Sequence, residues 1–234
     1  MTLSERLSQA LTKIRGVLPS GDSLDLLQSK GGRRAVTAAV AIYLTLTLGL
    51  GFYWSMTPDS FDVVENRAKY LKSSDQSVTG AATTAALLEV TRLLLEKDGG
   101  YISNDITPPG TFLDNMPNWE YGALIQSRDL ARALREVLSR SQSQSQEDVD
   151  LTLAEPRINF QNSSWALPAT ESEYRDARRY LQAYLDRLPK SGEDSAQFYA
   201  RADNLSFWLS MVEKRLGSLS QRLSASVGQR RINT

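Results

Sequence analysis

Residues Ala35–Trp54 read AVTAAVAIYLTLTLGLGFYW, a run of 20 residues without a charge. Coiled as an α-helix at about 1.5 Å per residue, such a run spans roughly 30 Å, the hydrocarbon thickness of a bilayer. Thr37, Thr45 and Thr47 are tolerable there, because a threonine hydroxyl can bond back to the carbonyl one turn earlier. Lys30, Arg33 and Arg34 precede the run, and Tyr53 and Trp54 close it. Cations at one end and amphipathic rings at the other are the flanks of a membrane span, and the positive-inside rule puts the cations in the cytoplasm. Two other readings compete: a core helix of a soluble protein, and a cleaved signal peptide. The length and lack of charge weigh against the first. The long preceding tail, and the want of a small-x-small site after Trp54, weigh against the second.

The wider sequence is read outward from that segment. The chain has 234 residues, 27 basic and 27 acidic, yet the balance is uneven. Before Ala35 stand six basic residues and three acidic ones, a net of +3, and the rest carries −3. A bilayer sorts charge in this way. Neither part is basic enough for a nucleic-acid surface. Cysteine and histidine are both absent. Thiolate chemistry, disulfides and the usual zinc sites are thereby excluded, and an active site would have to use carboxylates, Lys, Tyr or Ser.

The expected organisation is all-α: residues 1–34 a cytoplasmic tail, 35–54 a single transmembrane helix, and 55–234 a periplasmic helical domain, either a bundle or a helical hairpin. A bacterial inner membrane is the expected location. In the tail, Leu3, Leu7, Leu11, Ile14 and Leu18 share one helical face. That face suits the inner leaflet or a partner, or belongs to a loose tail. Beyond the membrane, Thr57 and Pro58 predict a helix start, with Phe61, Val64, Ala68 and Leu71 as its stripe. A second helix is expected over Gly80–Lys97, its stripe being Thr84, Leu87, Leu88, Thr91, Leu94 and Leu95. A third runs from Pro117 to Arg140, marked by Leu124, Ser127, Ala131, Leu134 and Leu138. Between these two lies DGGYISNDITPPGTFLDNMP, residues 98–117. Its Tyr101, Ile102, Phe112, Leu113 and Met116 predict an ordered loop packed onto helices. A short strand is conceivable around Arg157–Phe160.

The C-terminal part has the clearest period. Thr170 and Glu173 suggest a capping box, followed by Tyr174, Ala177, Leu181, Tyr184 and Leu188. Phe198, Ala202, Leu205, Leu209, Val212, Leu216, Leu219 and Leu223 then alternate by four and three, a heptad seam. The two helices are expected to pair as an antiparallel hairpin, against earlier helices or a partner chain; a homo-oligomeric coiled coil would keep the same seam. Arg201 and Asn204 are expected to meet a neighbouring helix or the long loop.

No phosphate loop, dinucleotide fingerprint, nucleophile elbow or calcium loop occurs. Candidate catalytic residues are Asp105, Asp114 and Glu120, with Tyr101, Trp119 and Tyr121 as candidate ligand-binding rings. Carboxylates beside aromatics suit glycan cleavage, where one acid stays protonated by burial and sugars stack on rings. The bland alternative makes Asp114 and Asn115 helix caps and Trp119 core filling. Glu147, Asp148 and Asp150 lack the ligand spacing of a calcium loop and read as a solvated linker. No cofactor or metal is expected.

The segment GGYISNDITPPGTFLDNMPNWEYGAL, Gly99 to Leu124, followed by Arg128 and Asp129, resembles the signature of an uncharacterised bacterial inner-membrane family, domain of unknown function 2333 (DUF2333). Residues 139–148, 165–174 and 197–205 also match its pattern. The resemblance implies a single N-terminal anchor and a helical periplasmic region, and it brings no activity or catalytic residue. Its members continue past the equivalent of Leu223, so the chain reads as a truncated or divergent member. The expected function is a membrane-anchored envelope interaction or scaffold module, with the bilayer and an envelope protein or a second copy as partners. The alternative is a carboxylate-dependent hydrolase or lyase acting on cell-wall glycan.

Overall fold

The structure, a computed structural model, describes residues 29–71, 78–141 and 146–232. The helical face expected over Leu3–Leu18 lies outside the described residues. Seven α-helices and no strand occur among the described residues. The chain divides between Leu50 and Gly51 into two compact units. Helix α1, Lys30–Trp54, crosses that division.

In the first unit α1 is long and apolar enough to cross a membrane or to serve as a signal sequence. Its side chains are exposed, Val40, Ile42, Leu46 and Leu48 among them. The Thr37 and Thr45 hydroxyls donate to the carbonyls of Arg33 and Ala41, both at 2.8 Å. This is the back-bonding that makes threonine acceptable in apolar surroundings.

The second unit holds the last turn of α1 and helices α2 (Val63–Tyr70), α3 (Ala81–Glu96), α4 (Asn115–Ala133), α5 (Val149–Ile158), α6 (Thr170–Arg187) and α7 (Ala202–Ile232). Helix α6 is the centre, packed against α5 and α3, while α3 also meets α2 and α4. The periodic stripes become the core. Leu87, Leu88 and Leu94 of α3, Leu124 and Ala131 of α4, Leu151 and Ile158 of α5, and Tyr174, Ala177, Leu181 and Tyr184 of α6 are all buried in one cluster. Truncating one of these leucines to alanine costs about 2–5 kcal/mol.

Helix α4 runs on into a π-helical turn, Leu134–Leu138, in which Ser139 N–H reaches back to Leu134 O at 2.9 Å. The freed carbonyls find partners outside the helix. Leu138 O accepts from Tyr199 N–H at 2.7 Å, and Val137 O from Asn204 Nδ2 at 3.2 Å. Asn204 therefore ties the start of α7 to this turn, and the expectation that it meets a neighbouring helix holds.

Four local expectations are corrected. Helix α2 starts at Val63 rather than near Pro58, capped by Asp62, whose carboxylate accepts from Val64 and Glu65 N–H. Its expected stripe divides: Leu71 is buried in the core and Phe61 half-buried, while Val64 and Ala68 are exposed; within the helix the buried residue is Asn66, donating to Ala85 O at 2.9 Å. Residues 157–158 close helix α5 and are no strand, because Asp148 caps a full helical run there. Thr170 is the first residue of α6 rather than its cap, and its hydroxyl donates to Gln161 O. Finally, α6 turns its apolar face to α3 and α5, leaving none for α7, so the antiparallel hairpin of α6 with α7 does not form; α7 leans on α4 instead.

Candidate functional site

The segment from Asp98 to Met116 is ordered, as its aromatics predict, and Glu120 of α4 holds it. This carboxylate is fully buried. One oxygen accepts from Ile102 N–H at 2.8 Å and from Lys97 Nζ. The other accepts from Ser103 N–H at 2.8 Å and from the Ser103 hydroxyl. A carboxylate has about four lone-pair sites, and all four are taken. Lys97 also donates to Gly100 O, so the ion pair and the loop backbone form one knot.

Around this knot the loop is fixed at further points. Tyr101 is buried edge-on to Tyr174, centroids 5.7 Å apart, and its hydroxyl donates to Asn162 O at 3.1 Å. Burial pushes the Tyr101 phenol well above its ordinary pKa and raises that of Tyr174, which Arg128 opposes. Asn104 donates to Ser164 O at 2.8 Å and to a Glu171 oxygen at 2.9 Å. At the loop's near end the indole of Trp54 lies on Gly99, Tyr53 donates to Asp98 at 2.7 Å, and Asn115 Nδ2 donates to Ser55 O at 3.1 Å.

The candidate residues thus separate. Tyr101, Asp105 and Glu120 come together at the knot. Asp105 is half-buried and packs against Gly110. Partial burial raises its carboxyl pKa, the charges of Glu120 and Glu171 raise it further, and Lys97 opposes them. Asp114 stands exposed at the α4 N-cap without a side-chain capping bond. Trp119 is half-buried against the core, and Tyr121 is exposed beside a shallow cavity of about 220 Å³ that it shares with Arg215 and Leu219 of α7. Glycan hydrolysis in its usual form needs two carboxylates with oxygens free to meet a substrate. Glu120 has none free; it holds a loop.

Sequence reading missed Lys97, Ser103 and Asn104. Lys97 and Glu120 are 23 residues apart on different helices, a separation no spacing rule connects. It also misjudged the acidic linker. Glu147 pairs with Arg135, and Asp148 and Asp150 pair with Arg187 at 2.7 and 2.6 Å. Those carboxylates are internal ion pairs rather than a solvated run.

The other unusual surface is α7. One side, with Asn204, Trp208, Met211 and Arg215, faces the body of the unit, and Arg215 is paired to Asp129 of α4. The heptad seam lies on the adjoining face, with Leu205 and Leu219 at its near edge beside Trp208 and Arg215. Leu205, Leu209, Leu216, Leu219 and Leu223 are between 43% and 68% exposed.

A family model described as "Uncharacterized protein conserved in bacteria (DUF2333)" matches residues 27–234. No curated protein and no solved structure matches the chain.

Proposed function

The chain belongs to this uncharacterised bacterial family, and from that premise we propose that it is a membrane-anchored scaffold, held by α1 in the inner membrane with its helical unit on the periplasmic side, that pairs with a second copy of itself through α7. The carrying observation is the exposed leucine seam. Isolated exposed leucines are ordinary, but five exposed leucines with the half-buried Val212 between them, at four-three spacing on one helix, form a stripe whose complement is another helix of the same period. With Leu209, Leu216 and Leu223 at the a positions, Leu205, Val212 and Leu219 fall at d. Trp208 and Arg215, which flank that seam, are already engaged by the body of their own unit, so the pairing would rest on the leucine and valine face itself. None of the six a and d positions carries a charge, so no like charges meet at them. The cations Lys30, Arg33 and Arg34 in the first turns of α1 and the rings at its end support the orientation. The alternative of glycan hydrolysis would require an unengaged carboxylate near Asp105, and Glu120 is fully engaged.

The native chain has no cysteine, so a single one reports cleanly. Leu216→Cys should give a disulfide-linked dimer on mild oxidation in membranes, and Lys214→Cys, on the opposite face, should not. Leu209→Asp with Leu216→Asp should convert the detergent-solubilised full chain to a monomer by sedimentation. A wild-type chain that sediments as a monomer, or a Leu216→Cys chain that fails to crosslink or crosslinks to a different protein only, would reject self-pairing.

A further inference from the structure

The loop Ile106–Leu113 reads ITPPGTFL, eight residues without an ionisable side chain. It contains a 3-10 turn, Gly110–Phe112. Its apolar side chains do not all go inward: Phe112 is 78% exposed and Ile106 61%. The expectation that Phe112 would pack onto helices is therefore corrected. Beside the loop, Phe52 and Met56 are exposed as well.

What lies next to these side chains follows from where the loop is seated. Pro109 and Leu113 rest on Gly51, where a Cβ would lie 3.5 Å from Pro109 Cβ and 3.9 Å from Leu113 Cδ2. Gly51 is three residues before Trp54, about 4.5 Å along the helix. If Trp54 marks the headgroup layer, the loop's turn reaches as deep as the upper hydrocarbon. Backbone can enter that layer only with its polar groups satisfied. Five of the eight residues present no free N–H: Thr111 N–H bonds to Thr107 O, Phe112 N–H to Pro109 O, and Leu113 N–H to Gly110 O, while Pro108 and Pro109 have no N–H.

We infer that the Ile106–Leu113 loop is a second membrane contact, dipping beside the end of α1 into the outer leaflet with Ile106 and Phe112 against lipid. The inference rests on the reading of α1 as a membrane span. Its consequence is geometric. One helix alone leaves an attached domain free to swivel about its axis, whereas a helix and an adjoining loop fix two points and set the tilt of the helical unit on the membrane. Phe and Ile at the acyl boundary are residues that interfacial segments use in this way.

The test uses the full chain reconstituted in phosphatidylethanolamine–phosphatidylglycerol vesicles, with an environment-sensitive fluorophore on a single introduced cysteine. Phe112→Cys and Ile106→Cys replace exposed side chains, so the fold is retained. Ile42→Cys, in the middle of α1, reports on the anchor. Nitroxide-bearing lipids and iodide on both sides of the vesicle are the two quenchers. The expected result is that the labels at 112 and 106 lose most of their fluorescence to shallow lipid nitroxides and little to iodide, while the label at 42 is lost to deep ones. Should 42 be lipid-quenched while 112 and 106 are quenched by iodide only, the loop lies in water and the inference falls. Protection of 112 and 106 from both quenchers would mean that protein covers the loop, which also overturns it. An iodide-quenched label at 42 would instead remove the anchor on which the inference stands.

Discussion

Lys97 and Glu120 form an ion pair shut away from solvent, their side chains 3% and 0% exposed. Desolvating two such charges costs several kcal/mol, and their attraction offsets that only when the remaining hydrogen-bonding capacity is also met. Here the loop meets it. Ile102 and Ser103 fill the rest of the carboxylate, and Gly100 O takes a further Lys97 proton. The pair is therefore the point at which α3, α4 and the connecting loop become one body.

Removing one partner strands the other. Glu120→Ala leaves a buried ammonium and the buried Ile102 N–H without their acceptor, so a loss of about 3–5 kcal/mol is expected. Lys97→Met combined with Glu120→Gln should recover part of this. It removes both charges and keeps an amide oxygen for one loop N–H. Chemical denaturation of the three chains decides the matter: a double variant no more stable than Glu120→Ala would show that the buried charge is not the cost.

Glu89 makes a second hub, and it predicts the response to acid. Arg92 donates to it twice, at 2.7 and 2.9 Å, Tyr70 at 2.6 Å and Lys69 at 2.9 Å. The Arg92 bonds, resisted by burial and helped by Tyr70 and Lys69, hold its carboxyl at about 2. The same contact, after burial, pushes the Tyr70 phenol up to about 12. A folded-state value below the ordinary 4.5 means stability that is present above pH 4.5 and lost as pH falls toward 2. The linkage amounts to something on the order of 3 kcal/mol. Wild type should lose that increment between about pH 5 and pH 2, and Glu89→Gln should be weaker at pH 7 with a flatter profile. Parallel acid profiles of the two proteins would assign the acid response elsewhere.

Gly99 and Gly100 both have left-handed backbones, φ +82° and +71°, yet only Gly99 lies under a ring. A Cβ at Gly99 would sit 2.7 Å from the Trp54 indole, whereas one at Gly100 would meet nothing closer than 3.8 Å. Each alanine replacement carries a backbone strain of about 1–3 kcal/mol. Gly99→Ala must in addition dislodge Trp54. Faster amide exchange around Asp98–Tyr101 is expected in Gly99→Ala and much less in Gly100→Ala. Equal effects would mean that the Trp54 contact adds nothing to the joint.

The sequence displayed the core well and its joints poorly. The stripe Tyr174, Ala177, Leu181, Tyr184 could be read because burial of a helix face repeats every three or four residues, and the structure buries those four side chains. Helix α2 was misread because polar bonds fasten it, through Asn66 and the partners of Glu89, and polar fastening has no period. The hairpin of α6 and α7 failed for a related reason. A heptad seam says that a helix meets another helix, but not which one. At the candidate site, residue type drew the eye to Glu120, while its role depended on Lys97 and on backbone N–H groups that fold toward it only in three dimensions.

Asp105 separates the packing account of the loop from a catalytic one. Its carboxyl pKa is raised, chiefly by burial and then by Glu120 and Glu171. A raised folded-state value has the opposite sign to that of Glu89: the folded protein holds this proton more tightly than the unfolded chain, so ionisation above the carboxylate range subtracts from stability. Asp105→Asn keeps the size that packs against Gly110 and removes the charge. Its melting temperature should therefore exceed wild type at pH 7, and the difference should vanish or reverse at pH 3, where the wild-type carboxyl is protonated. A group held at a raised pKa for catalysis would give the same stability gain, but the substitution would abolish turnover of purified cell-wall material. Stabilisation with no wall-cleaving activity in either protein fits a loop that serves only as structure. Wild-type cleavage that Asp105→Asn eliminates would restore the glycan reading and set aside the scaffold.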